Sequence, residues 1–534
     1  MVDILLIQPP IRDFYLTAKR TIPYGLTSIA AVLQEAGYSV AILDGLATSR
    51  SKILDLPPEM VSLKRYYGKP DISPFSLFHH FRHFGYSFQH IGHMAKESGA
   101  FLVGISSLFS AYRNEAIQAA EIVKKYHPTC RIVLGGHHPT ALPADVLQNK
   151  AVDFVLRGEG EVSLPVLADA LRADECLDNI PGIAFRRPDG THHISEPAVM
   201  ADIDEYPPPA ISLIKHTYYR RHRKGSAVIV TSRGCPMRCS YCCMGASTYL
   251  PHRQRRVESV MAEIETAVTR YDTGFIDFED ENLTLDKAWF LKLLDRFITR
   301  HGNAGIELRA MNGLFPPSLD NELIAAMKTA GFKTLNLSLG STSGEQLRRF
   351  NRPDVRQSLS DVLALAKDHG LDAVVYVIAA APGQRADDSI RDLLFLAENN
   401  VLGGISIFYP APGSADYALC ESLGILPEHL SLMRSSALPL SHSTTRREAV
   451  TLLRLGRIVN FMKSLTDQGE TLPKPAPPEP IHAKALSRKE MGIHLLQGFF
   501  HDGRIRGMTP EGDIYEHEIS RRLTSQFIAG LSRI

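Results

Sequence analysis

Two patterns of hydrophobic and polar positions alternate along most of this chain: short apolar, β-branched runs, and longer stretches with apolar residues every three or four positions. Residues 3–8, 38–43, 101–105, 131–134 and 154–156 read as buried strands. Between the first two, Leu26, Ile29, Ala30 and Leu33 share one helical face, and Gly37 ends that helix. Each strand runs into turn-forming or polar residues: Pro9-Pro10, Asp44, Ser106-Ser107, Gly135-Gly136-His137-His138 and Gly158-Glu159-Gly160-Glu161. This predicts a doubly wound, Rossmann-like α/β domain that takes a ligand at its carboxyl edge. A second series follows from about 225 to 420. Strands are read at 227–231, 274–278, 334–339, 373–379 and 405–409, with helices at 257–271, 319–330 and 358–369. That series predicts a parallel βα barrel or half-barrel. Beyond Leu426 the pattern is mainly helical, notably 449–465.

Composition narrows the function. With 59 Lys+Arg against 58 Asp+Glu, the net charge of +1 offers no single-sign field for nucleic acid or an anionic membrane. No apolar run reaches the roughly 20 residues of a membrane span. The start, MVDILLIQPP, has none of the features of a secretory signal. Seven cysteines among 534 residues make no disulfide framework, so a reducing cytoplasm is the expected home.

Cys130, Cys176 and Cys420 stand alone and are expected to be small buried hydrophobes. Cys235, Cys239, Cys242 and Cys243 crowd instead into one Gly/Pro-bearing loop, VTSRGCPMRCSYCCMG, directly after a strand. Zinc would want four ligands, usually as two separated pairs, and no second pair is present. Cys243 as a fourth ligand would have to share an ion with its neighbour, although adjacent turn residues point different ways. An iron–sulfur cluster on three thiolates leaves one iron open for another molecule.

The Cys-x3-Cys-x2-Cys spacing, with Tyr241 just before the third Cys, resembles the signature of the radical S-adenosylmethionine (radical SAM) superfamily. The resemblance implies a 4Fe–4S cluster on Cys235, Cys239 and Cys242 whose open iron chelates SAM, which is cleaved to a 5′-deoxyadenosyl radical. Later strand ends resemble the cobalamin-binding branch of that superfamily in the expected order: FEDENLT, RAMNGLFPPSLDNELIAAMKTAGF, APGQ and FYPAPGSADY. The implied SAM site draws on Tyr241, Asp280, Glu281, Asn312, Ser338, Ser341 and Pro382. One departure is Gly340, where that branch usually has Glu before Ser341; the lost carboxylate leaves its role to Ser338, Ser341 or water, or Gly340 simply makes a turn.

Residues 1–47 and 84–165 resemble the cobalamin-binding domain that precedes many radical SAM domains. The implied cobalamin contacts are Tyr24, Gly25, Ser106, Ser107, Gly135, Gly136, His137, His138 and Glu159. No Asp-x-His-x-x-Gly motif occurs, so no histidine is expected below cobalt, and His137 and His138 are expected to line the corrin edge or its tail. Neither G-x-G-x-x-G after the first strand nor a P-loop is present, which leaves NAD and ATP without support.

The expected division is a cobalamin-binding domain at 1–195, a linker at 196–214 around EYPPPA, a radical SAM domain at 215–425 and a C-terminal domain at 426–534. PKPAPPEP, residues 473–480, reads as a second semi-rigid spacer. An insertion before residue 101 carries His79, His80, His83, His90 and His93. His79 and His83 at helical spacing would permit metal binding, but an aromatic-rich packing helix is the plainer reading. The resemblance implies a methyltransferase acting on an unactivated carbon of a small-molecule or natural-product substrate. Cyclisation or ring rearrangement with the same cofactors is the alternative, and a cobalamin redox sensor a more distant one. An external electron donor such as flavodoxin or ferredoxin is the implied partner. No catalytic acid or base is assignable from the sequence.

Overall fold

The computed structural model describes residues 1–14, 22–78, 80–246, 251–477 and 486–533. Its N-terminal sheet contains β1 (Ile4–Gln8), β2 (Val40–Asp44), β3 (Leu102–Ser106), β4 (Arg131–Gly135), β5 (Phe154–Leu156), β6 (Ile183–Arg186) and β7 (His192–Ile194). They lie in the order β7-β6-β5-β4-β3-β1-β2, with β1 to β5 parallel and β6 antiparallel to both β5 and β7. Strict alternation along β1 sends Ile4 and Leu6 into one core and Leu5 and Ile7 into the other. Helices α1 (Tyr24–Glu35) and α4 (Gly160–Ala173) cover the first face, α2 (Phe88–Ser98) and α3 (Arg113–Tyr126) the second. The chain order reverses between β1 and β3, and a crevice for ligand opens at such a switch point, outside the carboxyl ends of the strands.

The second series folds as expected into six parallel strands: β8 (Lys224–Ile229), β9 (Thr273–Phe278), β10 (Glu307–Ala310), β11 (Thr334–Gly340), β12 (Asp372–Ala379) and β13 (Leu402–Ile407). Between β10 and β11 the ladder continues through Leu314, whose N–H donates to Asn336 O at 2.6 Å while its carbonyl accepts from Ser338 N at 3.0 Å. Ile276, Leu308, Leu337, Val375 and Val377 face the surrounding helices: α5 (Val257–Tyr271), α6 (Lys287–His301), α7 (Asn321–Ala330), α8 (Arg356–Asp368) and α9 (Ala386–Glu398). Asp277, Arg309, Asn336 and Tyr376 form the opposite, polar face, where Arg309 Nε donates to Asp277 at 3.1 Å and Tyr376 to Asn336 at 3.1 Å. The barrel does not close. Its free edge at β13 is met by Asn460 of α10 (Arg446–Asp467), which accepts from Gly403 N at 2.7 Å and donates to Gly403 O at 2.9 Å, and by Ser435 Oγ, 2.9 Å from Ile407 N.

The C-terminal region adds α10, α11 (Arg488–Asp502), α12 (Arg521–Leu531) and a small hairpin, Arg506–Met508 with Ile514–Glu516. Its Leu455, Phe499 and Phe527 share one continuous core with the barrel helices and with Met60, Leu63 and Phe75 of the insertion. Thus the tail and the insertion form a wall of the barrel. Two sequence expectations need correction. Phe81–Phe84 is a strand, paired with Ile11–Asp13 and Ser51–Leu54, so helix begins only at Phe88. His79 lies outside the described residues; His83 bonds the Tyr86 carbonyl at 2.8 Å, and His90 stacks on Tyr86. Cys176 is exposed, whereas Cys130 and Cys420 are buried as expected. The EYPPPA segment is pinned: Ala210 N donates to Thr27 O at 2.9 Å, and Asp204 accepts from Arg256 N at 2.6 Å. Of the 473–480 spacer, residues 478–480 lie outside the described residues.

Candidate functional site at the barrel mouth

The cysteine loop leaves the carboxyl end of β8, held at its base by one carboxylate. Asp280 Oδ1, just past β9, accepts from Thr231 N at 3.0 Å, Thr231 Oγ1 at 2.7 Å and Ser232 Oγ at 2.6 Å. Its Oδ2 is buried without a hydrogen-bond partner. Nearer the tip, Ser240 N donates to Phe350 O at 3.0 Å, Asn351 Nδ2 donates to Arg238 O at 2.8 Å, and Cys242 N donates to Cys239 O at 3.1 Å. Cys239 is buried, while Cys235, Cys242 and Cys243 are half-buried. Burial raises the Cys235 thiol above its ordinary value, and neighbouring Cys239, Cys242 and Glu281 add to the rise. Burial also pushes Cys243 up to about 11. Thiols that oppose one another's ionisation suit a cationic group, which relieves that repulsion on binding.

Arg352 is the residue that sequence reasoning missed. Its guanidinium lies 3.9 Å from Cys239 Sγ and donates to Tyr241 Oη at 2.8 Å and to Ser338 Oγ at 2.8 Å. Gly340 lies beside it: at φ +82° the residue is left-handed, which favours glycine, and an added Cβ would be in ordinary contact with Arg352 Cδ at 3.6 Å. The position that lacks a carboxylate therefore lies against a cation. Arg352 Nε is buried without a hydrogen-bond partner, as are Asn336 Nδ2 and Asn282 Oδ1. Together with Asp280 Oδ2 they are donors and acceptors that a zwitterionic ligand at this mouth would satisfy. Glu281 is half-buried, and burial pushes its carboxyl up to about 7. Asn312 stands exposed at the rim, bonded to Glu279 O at 2.9 Å. Pro382 is buried in a turn that Gln384 fastens, accepting from Ala381 N at 3.0 Å.

Ser341 is a correction. It is fully buried, and its hydroxyl donates to Asp392 of α9 at 3.1 Å, behind the strand ends and away from the ligand mouth. Asp392 accepts from Thr342 Oγ1 at 2.7 Å as well, yet burial still raises its carboxyl from 3.8 to about 6. The folded protein therefore holds an extra proton between those two values. The contribution of this carboxyl to stability is expected to be fully present below this window and to fall by up to about 3 kcal/mol as pH rises through it. Asp392→Asn keeps an acceptor oxygen and removes the charge, so urea unfolding of that variant should lose this pH dependence.

At the carboxyl edge of the N-terminal sheet, Ser107 Oγ is buried without a hydrogen-bond partner, beside half-buried Ser106 and Gly135. Gly136 has φ +120°, and a Cβ there would come within 2.6 Å of Ser107 O, so only glycine fits the turn. Leu108 and Phe109 follow, 42% and 44% exposed. His137 is accessible, yet surrounding protein holds its imidazole below the ordinary value, as expected for the lining of a deep cleft. His138 is a correction: it is buried, 3.1 Å from Ser110 Oγ and 3.4 Å from Asp145, facing the protein interior. Gly25 is exposed with nothing near its α-carbon. Tyr24 lines a small cavity with Glu161, Arg233 and Arg255. Glu159 is a third correction: two arginines and the Met200 amide occupy its carboxylate. A lone acidic residue in a Gly-rich turn gave no sign of these partners.

Comparison with known proteins agrees with this geometry. Residues 229–396 match the radical SAM superfamily and residues 80–168 the B12 binding domain. The chain thus carries a radical SAM domain with a B12-binding domain ahead of it. Those domains fix its cofactors as a 4Fe–4S cluster, SAM and cobalamin. Among relatives, cytidylyl-2-hydroxyethylphosphonate methyltransferase of Streptomyces wedmorensis is 25% identical over 78% of this chain and 80% of its own. An anaerobic magnesium-protoporphyrin IX monomethyl ester cyclase of Rubrivivax gelatinosus is 28% identical over 54% and 52% respectively. The radical S-adenosylmethionine methyltransferase TsrM from Kitasatospora setae, solved with cobalamin and a 4Fe-4S cluster, shares the fold at TM-score 0.59 and 17% identity, over 80% of this chain and 76% of that one. No helix among the described residues is long and apolar enough to cross a membrane.

Proposed function

We propose that this enzyme methylates an unactivated carbon of a small-molecule substrate. The observation that carries the reading is the convergence of two ligand mouths: the cysteine loop stands at the carboxyl ends of the barrel strands and is bonded directly to the turn after β5 of the B12-binding domain. Bound there, the cofactors supply a 5′-deoxyadenosyl radical and a methyl group carried on cobalt. The chain's own part is to hold and orient. Cys235, Cys239 and Cys242 carry the cluster, leaving Cys243 outside it. Arg352 and Asp280 would offer SAM countercharges and Ser338 a hydroxyl, with Arg352 also fixing Tyr241 beside Cys239. Ser107, Gly135, Gly136 and His137 would accommodate the corrin.

Methylation is favoured over cyclisation because the methyltransferase relative aligns along about four fifths of both chains and the cyclase along about half. An external flavodoxin- or ferredoxin-type donor, in a cytoplasmic setting, completes the reading. SAM carrying a deuterated methyl group tests it. The label should appear in product, with S-adenosylhomocysteine and 5′-deoxyadenosine formed at about one each per turnover. An unlabelled product made at full rate would replace methylation with cyclisation or rearrangement.

A further inference from the structure

Two arginines from the stems of the cysteine loop meet two glutamates of the B12-binding domain in a nearly buried cluster. Arg233, two residues before Cys235, donates to Glu161 at 2.6 Å and to Glu159 at 3.3 Å. Arg253, on the returning stem, donates to Glu159 Oε2 at 2.6 Å and Oε1 at 3.1 Å, and to Met200 O at 2.6 Å. Their side chains are only 5–21% exposed. The stems pair with each other, Ser232 opposite Gln254 and Arg233 opposite Arg253. A single carboxylate, Glu159, therefore grips both ends of the loop.

The glutamates are themselves rigidly placed. Gly158 has φ +82°, and a Cβ on it would lie 2.2 Å from Ala198 O, so the turn admits no other residue. Glu159 N donates to Ala198 O at 2.9 Å, and Glu161 sits in the first turn of α4, where the helix dipole favours its charge. Ion pairs this buried give little net stability compared with apolar packing; their value is in geometry.

We propose that Glu159 and Glu161 are positioning residues that lock the cluster-bearing loop to the cobalamin domain and so fix the separation of the two metal centres. This rests on the cluster assignment made above. The barrel holds the loop at its base through Asp280 and at its tip through Ser240, Cys239 and Arg352, and the B12-binding domain grips the stems between them. A change in either glutamate should let the loop shift as a unit without unfolding either domain.

Glu159→Gln and Glu161→Gln in the full chain test this by two routes. In protein without cofactors, amide hydrogens of residues 230–256 should exchange at least about tenfold faster than in the wild type, with β1, β3 and α5 unchanged. In reconstituted protein with normal iron and cobalamin content, pulsed electron paramagnetic resonance should give a broadened distance distribution between the reduced cluster and cob(II)alamin. The paired exchange Glu161→Arg with Arg233→Glu should narrow it again relative to either single change. Wild-type exchange at the stems in both Gln variants would overturn the proposal, as would faster exchange spread evenly over the N-terminal sheet. If wild-type protein binds no three-cysteine cluster, the functional reading fails, while the exchange experiment still decides the clamp.

Discussion

Cys235→Ala, Cys239→Ala and Cys242→Ala are each expected to abolish the oxygen-sensitive 4Fe–4S absorbance of reconstituted protein and to reduce SAM cleavage to background. A cluster held by three thiolates loses the bond to one iron when one thiolate goes. Cys243→Ala should retain both properties. The tip of the loop is anchored through Ser240 and Arg352 at points flanking Cys239, whereas Cys243 already begins a short helix, Cys243–Ala246. Iron analysis and anaerobic ultraviolet-visible spectra check all four variants. An indispensable Cys243 beside a silent member of the other three would overturn the ligand set.

Arg454→Ala is expected to produce the largest loss of stability, about 3–5 kcal/mol. This guanidinium on α10 is 3% exposed, donates to Phe75 O at 3.2 Å and Tyr66 O at 3.1 Å, and lies 3.9 Å from Asp71. Burial pushes its pKa down to about 10, with Asp71 opposing the fall. Asp71 in turn accepts from Met508 N at 3.2 Å and bonds His517 at 2.9 Å, so one cluster joins insertion, tail helix and hairpin. Removing the arginine leaves two carbonyls unpaired and a buried carboxylate with less countercharge. Arg454→Lys should recover only part of the loss, because an ammonium cannot span both carbonyls as a planar fork does. Denaturant unfolding, with limited proteolysis of residues 45–80, measures both effects.

The fold was legible where a local signal sets the backbone. Helix α5 matches its apolar periodicity, α7 stops at left-handed Gly331, and β3 and β4 end where serine and glycine interrupt apolar runs. The cysteine spacing announced its chemistry because all its ligands lie within one short loop. What escaped was assembled over distance. Arg352 reaches Cys239 across 113 positions, and Glu159 meets Arg233 and Arg253 across 74 and 94. The histidine-rich insertion misled for the same reason: Phe81–Phe84 is a strand only because Ile11–Asp13 and Ser51–Leu54 flank it. Likewise His138 and Ser341 carry the right chemistry in the right turn, but Asp145 and Asp392 draw them inward.

A barrel left open has an exposed backbone flank on which a foreign strand could grow. Here the amide of Asn460 behaves as a one-residue surrogate strand, supplying Gly403 with the acceptor and donor that a neighbouring strand would have offered. During synthesis, however, β13 leaves the ribosome more than fifty residues ahead of Asn460, and until α10 docks that flank is available to any nascent chain nearby. The interval before α10 docks is therefore when misassembly threatens this protein, and a deletion that removes α10 should yield aggregates seeded along β13.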